Sequence, residues 1–184
     1  MITIDGDTST NDMVVVLANG LAAGETLDAQ HPAAEPFCDA LTQVCTHLAK
    51  AICRDAEGAT KLIEVRVEGA GSDADARRAA REVARSLAVK TAIYGSDPNW
   101  GRIVAAVGNS GADIVEENTT LYVGDVCLYR QGRPLDYDER AARAALAGAE
   151  VELRLDLGLG EGAAIAWGCD ITEEYVHLNS AYTT

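Results

Sequence analysis

Three segments of the chain have a sequence period of two, and this period constrains the fold more than any other feature. Residues 63–68 read IEVRVE, residues 151–157 read VELRLDL and residues 163–169 read AAIAWGC. Side chains of a β-strand point alternately to the two faces of a sheet, so each segment predicts a strand with one apolar face. The chain must therefore build a sheet around these strands.

Helical periodicity appears between the strands. One helix is predicted after Pro36, from a stripe of apolar residues at helical spacing: Phe37, Leu41, Val44, Cys45, Leu48, Ala49 and Ile52. A second helix is predicted after Ser72, a good N-cap, and its inner stripe is small enough to pack close to a sheet: Ala76, Ala79, Ala80, Val83, Ala84 and Leu87. Shorter helices are predicted over residues 103–107, over residues 137–149 and after Thr172.

The remaining pattern completes an α+β domain. Residues 2–5 predict a short strand, and the continuous apolar run at residues 13–18 predicts a strand buried on both faces. Residues 121–129 and the segment after residues 131–133 predict a hairpin, and the glycine-rich turn at residues 158–162 predicts a second one. Since no linker interrupts this order, we expect a single domain of layered sheets and helices.

Net charge is the property of composition that bears most on partners. The chain carries 29 acidic and 15 basic residues, which gives a formal net charge of −14. A phosphate backbone is bound by clustered Lys and Arg, so nucleic acid is not an expected partner. A substrate that carries ammonium groups would be attracted by such a field.

Several classes of site and location are disfavoured. His31, His47 and His177 have no Cys or His neighbour at ligand spacing, so no metal site is predicted. No apolar run approaches the length of a membrane span, and the N-terminus lacks the pattern of a secretory signal. The five cysteines form neither a CxxC pair nor an even framework, which favours free thiols in a reducing compartment. A cytoplasmic protein is therefore expected.

Polar segments offer candidates for a site, and each also has a structural interpretation. Glu57 lies at a helix-to-strand junction, where its carboxylate either binds an ammonium group or is a solvated loop acid beside Arg54. Residues 97–102, DPNWGR, are either a scaffold turn or part of a site, and residues 8–12 are either a site or a string of turn hydrogen bonds. The compact ending at residues 179–184 is either a terminus that is held in place at a site or simply the point where a helix ends.

Four segments together resemble the ornithine acetyltransferase family, the bifunctional glutamate N-acetyltransferases of arginine biosynthesis. They are DGDTSTND at residues 5–12, RDAEGATK at residues 54–61, YGSDPNWGRI at residues 94–103 and NSAYTT at residues 179–184. They occur in the family's order and at fitting spacing along the whole chain. The resemblance implies a layered domain of αββα type that corresponds to most of the family's β chain.

The resemblance also implies acyl transfer through a threonine outside this sequence. Family members are made as a longer precursor that cuts itself before a threonine, which becomes the N-terminal nucleophile of the β chain with its own α-amine as base. Acetyl passes from N-acetylornithine to this threonine and then to glutamate, and some members also accept acetyl-CoA. This chain begins after the expected cleavage site, so the nucleophile is expected upstream. The resemblance implies no cofactor. The implied partner is an upstream α-chain-like half, in an α2β2-type assembly.

Three residues of this chain match substrate-contacting positions of the family. The glutamate of the family motif D-x-E-G-x-T-K falls on Glu57, and the asparagine and the C-terminal hydroxy residue fall on Asn179 and Thr184. The resemblance thus implies an acyltransferase subunit or fragment, inactive alone, whose catalytic nucleophile lies in no part of this chain. The open alternative is a non-catalytic amino-acid-binding or assembly domain that keeps the same pocket.

Overall fold

The computed structural model describes residues 1–22 and 24–181. Within these residues seven strands form one sheet: β1 (Ile2–Thr3), β2 (Leu62–Ala70), β3 (Thr120–Val123), β4 (Val126–Arg130), β5 (Arg133–Pro134), β6 (Glu150–Asp156) and β7 (Gly162–Cys169). The α-helices are α1 (Ala34–Arg54), α2 (Asp73–Arg85), α3 (Leu87–Tyr94), α4 (Trp100–Gly108), α5 (Glu139–Leu146) and α6 (Glu173–Ala181). This mixed α/β domain with a layered sheet and helices confirms the predicted fold class.

The strand order places β2 inside the sheet, between β7 and β6. The order is β1-β7-β2-β6-β3-β4-β5, with β2 parallel to β6 and antiparallel to β7. The predicted hairpin of β6 and β7 is therefore wrong, because β2 lies between these strands. The glycine-rich connection instead passes over the end of β2, where the N–H groups of Leu159 and Gly160 donate to the carbonyl oxygen of Gly69 at 2.6 and 3.0 Å.

One face of the sheet is covered by α2, as its small apolar stripe predicts. Ile63, Val65 and Val67 are fully buried, and the facing helix buries Ala76, Ala79, Ala80, Val83 and Ala84 against them. The Ser72 hydroxyl caps α2 by accepting the N–H of Asp75 at 3.1 Å, which confirms the predicted N-cap. Leu87 does not belong to this stripe: α2 ends at Arg85, so Leu87 begins α3 and is exposed.

The other face of the sheet is more polar and is only partly covered, by α1. Glu64 alternates with the buried residues of β2 and is paired across the sheet with Trp167 of β7. The Lys50 ammonium of α1 lies 2.8 Å from the Glu64 carboxylate and 5.6 Å from the centre of the Trp167 ring. The helix thus rests on this face through an ion pair and a cation–π contact rather than through its largest apolar residues.

The largest apolar residues of α1 point away from the sheet. One side of the helix is at least half-buried and carries Thr46, Ala49, Lys50 and Cys53. At 100° per residue the predicted stripe falls mainly on the opposite side, and its larger members are 43–55% exposed: Phe37, Leu41, Val44, Leu48 and Ile52. The helix is confirmed, but its apolar face is not buried by the described residues.

Residues 13–18 form no strand in the structure, although the sequence predicts a strand buried on both faces. Val14 is 85% exposed and Leu17 is 91% exposed. The prediction of burial is wrong for the described residues, because none of their strands lies beside this segment.

The other predicted elements are present with different ends. The region 121–129 is itself a hairpin of β3 and β4, and β4 continues around a second turn into β5. Helix α5 begins later than predicted, because Asp138 is its N-cap and accepts the N–H of Ala141 at 3.0 Å, and the helix ends earlier than predicted, at Leu146. Helices α4 and α6 lie where the sequence predicts them.

Gly162 lies where the start of β7 meets the start of α2, and substitution there should be costly. A Cβ atom at Gly162 would lie 2.5 Å from the carbonyl oxygen of Ser72, so backbone would have to move. We expect Gly162→Ala to lower the free energy of unfolding by about 2–3 kcal/mol, measured by urea denaturation. The control is Gly71→Ala, whose Cβ would meet nothing within 4 Å. An equal effect of the two substitutions would contradict this packing.

Candidate functional site

Glu57 and Asn179, which are far apart in sequence, are hydrogen-bonded to each other. The side-chain amide of Asn179 donates to the Glu57 carboxylate at 3.0 Å and to the carbonyl oxygen of Tyr175 at 3.0 Å. Glu57 lies in the turn between α1 and β2, and Asn179 lies in the last part of α6. Both side chains are exposed, so the carboxylate and the amide are accessible to a ligand.

A buried carboxylate fixes the segment that leads from the Glu57 turn into β2. Asp170 follows β7 directly and is 2% exposed. Its two oxygens accept the N–H of Thr60 at 2.8 Å, the hydroxyl of Thr60 at 2.5 Å and the N–H of Lys61 at 2.9 Å. Because a buried carboxylate is stable only when it is well hydrogen-bonded, these bonds lock the entry of β2 to the end of β7.

The start of α6 packs directly on the Glu57 turn. The Thr172 hydroxyl donates to the carbonyl oxygen of Gly58 at 2.7 Å and accepts the N–H of Tyr175 at 3.2 Å, so one side chain caps the helix and holds the turn. Gly58 has a φ of +67°, and a Cβ atom there would lie 2.5 Å from the backbone nitrogen of Tyr175. Only glycine permits both the turn and this close approach.

Tyr175 connects the site to the N-terminal motif. Its hydroxyl donates to the Asp5 carboxylate at 2.9 Å. Burial, the bond to Asp5 and the nearby negative charges of Asp5, Asp7 and Glu57 raise the pKa of Tyr175 to about 12. Three carboxylates thus act on one hydroxyl, and the field around Glu57 is negative and suited to a cationic group.

Lys61, the last residue of the RDAEGATK motif, has a structural role. Its ammonium donates to the carbonyl oxygens of Ile93, Tyr94 and Leu146 at 2.7, 3.2 and 2.8 Å, and to the Ser96 hydroxyl at 2.9 Å. These carbonyls lie at the C-terminal ends of α3 and α5, where a cation is favourable. The motif therefore combines an exposed carboxylate with a lysine that holds two helices.

A second lysine lies inside the protein, beneath the site. Lys90 is fully buried and donates to the carbonyl oxygen of Cys169 at 2.7 Å, one residue before Asp170. Burial lowers the pKa of Lys90, and the nearby groups of Cys169, Cys53, Asp170 and Asp5 oppose this shift. Burial likewise raises the pKa of Cys53 to about 11, so its thiol is protonated and unreactive.

The two loops that the sequence left open make scaffold contacts. The Ser9 hydroxyl accepts the N–H groups of Asn11 and Asp12 at 3.4 and 3.2 Å, which is a local turn. In the other loop the Asn99 side chain caps α4 by accepting the N–H of Arg102 at 3.2 Å, and the Arg102 guanidinium donates to the carbonyl oxygen of Ala88 at 2.9 Å.

The structure brings two of the three predicted binding residues together, and the third, Thr184, lies outside the described residues. The sequence analysis did not identify Asp170, Thr172 and Tyr175 as parts of the site. A signal was available, because an acidic and a hydroxyl residue between a strand and a helix are typical of a helix cap. It also missed Lys90, which no pattern distinguishes from a solvated helix lysine.

Metal and membrane sites are absent from the described part of the chain. No group of three or more His, Cys, Asp and Glu residues in 1–22 and 24–181 is arranged to hold a metal ion. No helix in these residues has the length and apolar character needed to cross a membrane. The five cysteines are unpaired, and Cys53 and Cys169 are buried.

Comparison with known proteins gives consistent matches over the whole chain. The chain is 53% identical over 184 residues to the arginine biosynthesis bifunctional protein ArgJ of Symbiobacterium thermophilum, and 49% identical over 183 residues to that of Geobacillus kaustophilus. All of this chain is covered in each case, but only 46% and 45% of the relatives, so the chain spans about half the length of the curated relatives it matches.

A solved structure gives the same result. The crystal structure of the arginine biosynthesis bifunctional protein ArgJ from Bacillus halodurans superposes with a TM-score of 0.94 at 48% identity, covering 98% of this chain and 85% of that chain. The model of the ArgJ family matches residues 1–184. The resemblance to enzymes of arginine biosynthesis is thereby confirmed, and the chain belongs to the ArgJ family.

Proposed function

We propose that this chain forms the amino-acid-binding part of an acetyltransferase that moves acetyl from N-acetylornithine to glutamate. The observation that carries the proposal is the 3.0 Å bond between Asn179 and Glu57, which places an exposed carboxylate and an exposed amide side by side. The family supports the same assignment, because the curated relatives are named bifunctional proteins of arginine biosynthesis.

The chemistry of the two residues fits an amino-acid substrate. The Glu57 carboxylate accepts hydrogen bonds from a substrate ammonium, and the negative field of Asp5 and Asp7 adds to this attraction. The Asn179 amide offers both donors and an acceptor, so it orients a polar group beside the ammonium. Thr184 is proposed as the third contact.

The nucleophile of the proposed reaction is a threonine that the partner half supplies. Its hydroxyl attacks the acetyl carbonyl of N-acetylornithine, an ester bond forms, and the amide bond breaks as the ornithine nitrogen takes a proton and leaves. The amine of glutamate then attacks the ester, takes the acetyl group and returns the hydroxyl proton. The residues of this chain bind and orient the two amino acids.

An assay of the assembled halves tests the proposal. This chain is mixed with the part of the Symbiobacterium thermophilum relative that it does not match, and acetyl transfer from N-acetylornithine to glutamate is measured. Turnover is expected for the mixture and none for either half alone. Tight binding of ornithine or glutamate by this chain alone, with no turnover in an assembled complex, would instead indicate a binding domain.

Glu57→Gln in the active mixture tests the role of the carboxylate. The substitution removes the negative charge but keeps the size of the side chain, so we expect the KM for N-acetylornithine and glutamate to rise by about 10–100-fold. The matched control is Glu161→Gln, which makes the same change in an exposed turn at the start of β7. Equal KM values for the two variants would contradict the assignment.

Gly58→Ala tests whether the position of α6 on the turn matters. The added Cβ must push Tyr175 away, so Asn179 moves off Glu57 and we expect kcat/KM to fall by at least about 100-fold. Gly108→Ala is the control, since its Cβ would meet nothing within 4 Å. Far-ultraviolet circular dichroism checks that both variants are folded. Full activity of folded Gly58→Ala would show that this contact does not shape the site.

A further inference from the structure

Two elements expose a large amount of apolar surface. The first is residues 13–18, with sequence MVVVLA, in which every large residue is more than 60% exposed. The second is the outward stripe of α1, formed by Phe37, Leu41, Val44, Leu48 and Ile52. We call these two elements together the open apolar surface. Exposed apolar surface on this scale is rare on monomeric proteins and marks an interaction site.

The backbone of residues 13–18 is also unpaired. None of the hydrogen bonds among the described residues involves an N–H or carbonyl group of this segment. Five of its six side chains are Met, Val or Leu, and they occupy consecutive positions. A strand with apolar side chains on both faces is typical of the interior of a sheet, with neighbours on each side and layers above and below.

The exposed stripe of α1 requires a second covering layer. The side of α1 that lies on the sheet carries small and polar residues, including Thr46, Ala49 and Lys50. The opposite side carries the Leu, Val and Phe residues, so the helix is amphipathic with its apolar face outward. Such a helix is stable in water only when another element covers that face.

The relatives supply a candidate for what covers this surface. They are about twice as long as the matched region, so more than half of each relative is polypeptide that this chain does not match. The open segment also begins eight residues after Asp5, which is bonded to Tyr175 beside the site. Eight extended residues span at most about 28 Å, so a partner paired with the segment lies within reach of Glu57.

We infer that residues 13–18 become a strand when the remaining half of the enzyme binds, and that this half also packs on the apolar stripe of α1. The partner contributes strands that hydrogen-bond to residues 13–18, which is strand addition at an unpaired edge. This inference rests on the proposed function, since it concerns the half that carries the nucleophile. It adds the surface by which the two halves recognise each other and the segment that folds on binding.

The experiment combines hydrogen exchange with binding of variants. This chain is mixed with the part of the Symbiobacterium thermophilum relative that it does not match, and amide exchange is measured before and after mixing. We expect the amides of residues 13–18 to exchange at least about 100-fold more slowly in the complex, because they become strand hydrogen bonds.

Substitutions on the surface give the second measurement. Val16→Asp and Leu48→Asp would each place a charge in the interface, so we expect the Kd of the complex to rise at least about 100-fold. The controls are Val115→Asp and Leu87→Asp, which make the same changes at apolar residues that are also exposed but lie outside the open apolar surface. The controls should bind with unchanged Kd.

Three outcomes would overturn the inference: fast exchange of residues 13–18 in the complex, an unchanged Kd for the surface variants, or protection of the segment in this chain alone through self-association. Measuring acetyl transfer on the same complex separates this inference from the proposed function. A complex that forms normally and protects residues 13–18 but transfers no acetyl group supports the interface and contradicts the activity. An active complex in which the segment still exchanges freely supports the activity and contradicts the interface.

Discussion

The buried carboxylate of Asp170 is the constraint on which the candidate site depends. It binds the backbone of Thr60 and Lys61 and thereby fixes the end of β7 to the start of β2. The ends of the two strands then set the position of the Glu57 turn on one side and of α6 on the other. The Thr172 hydroxyl donates to the carbonyl oxygen of Gly58 and so joins α6 to the turn. Glu57 and Asn179 therefore meet although they are far apart in sequence.

The residues around the contact between the Glu57 turn and α6 explain how the exposed side chains of Glu57 and Asn179 are held in place. Lys90 lies below it with its ammonium on the carbonyl of Cys169, and Lys61 holds the ends of two helices beside it. Both lysines are largely withdrawn from water, and both are positioned by carbonyl groups. The rigid part of the site is therefore internal, while Glu57 and Asn179 remain accessible to a ligand.

Sequence patterns predicted those parts of the fold that depend on local periodicity. The alternation around Val65 and the small residues of α2 identified a strand and the helix that covers it, and family motifs identified Glu57 and Asn179. The order of strands was not predictable in this way, because β2 pairs with β6 and β7, which are far from it in sequence. The apolar run at residues 13–18 was predicted to be buried, and it is exposed because no strand of the described residues lies beside it.

The most direct test of the proposed site is a crystal structure of this chain assembled with the unmatched part of a relative and bound to N-acetylornithine or glutamate. We expect the substrate ammonium to lie within hydrogen-bond distance of the Glu57 carboxylate and Asn179 to contact the same molecule. A substrate bound elsewhere, with Glu57 and Asn179 still joined to each other and facing solvent, would contradict this prediction.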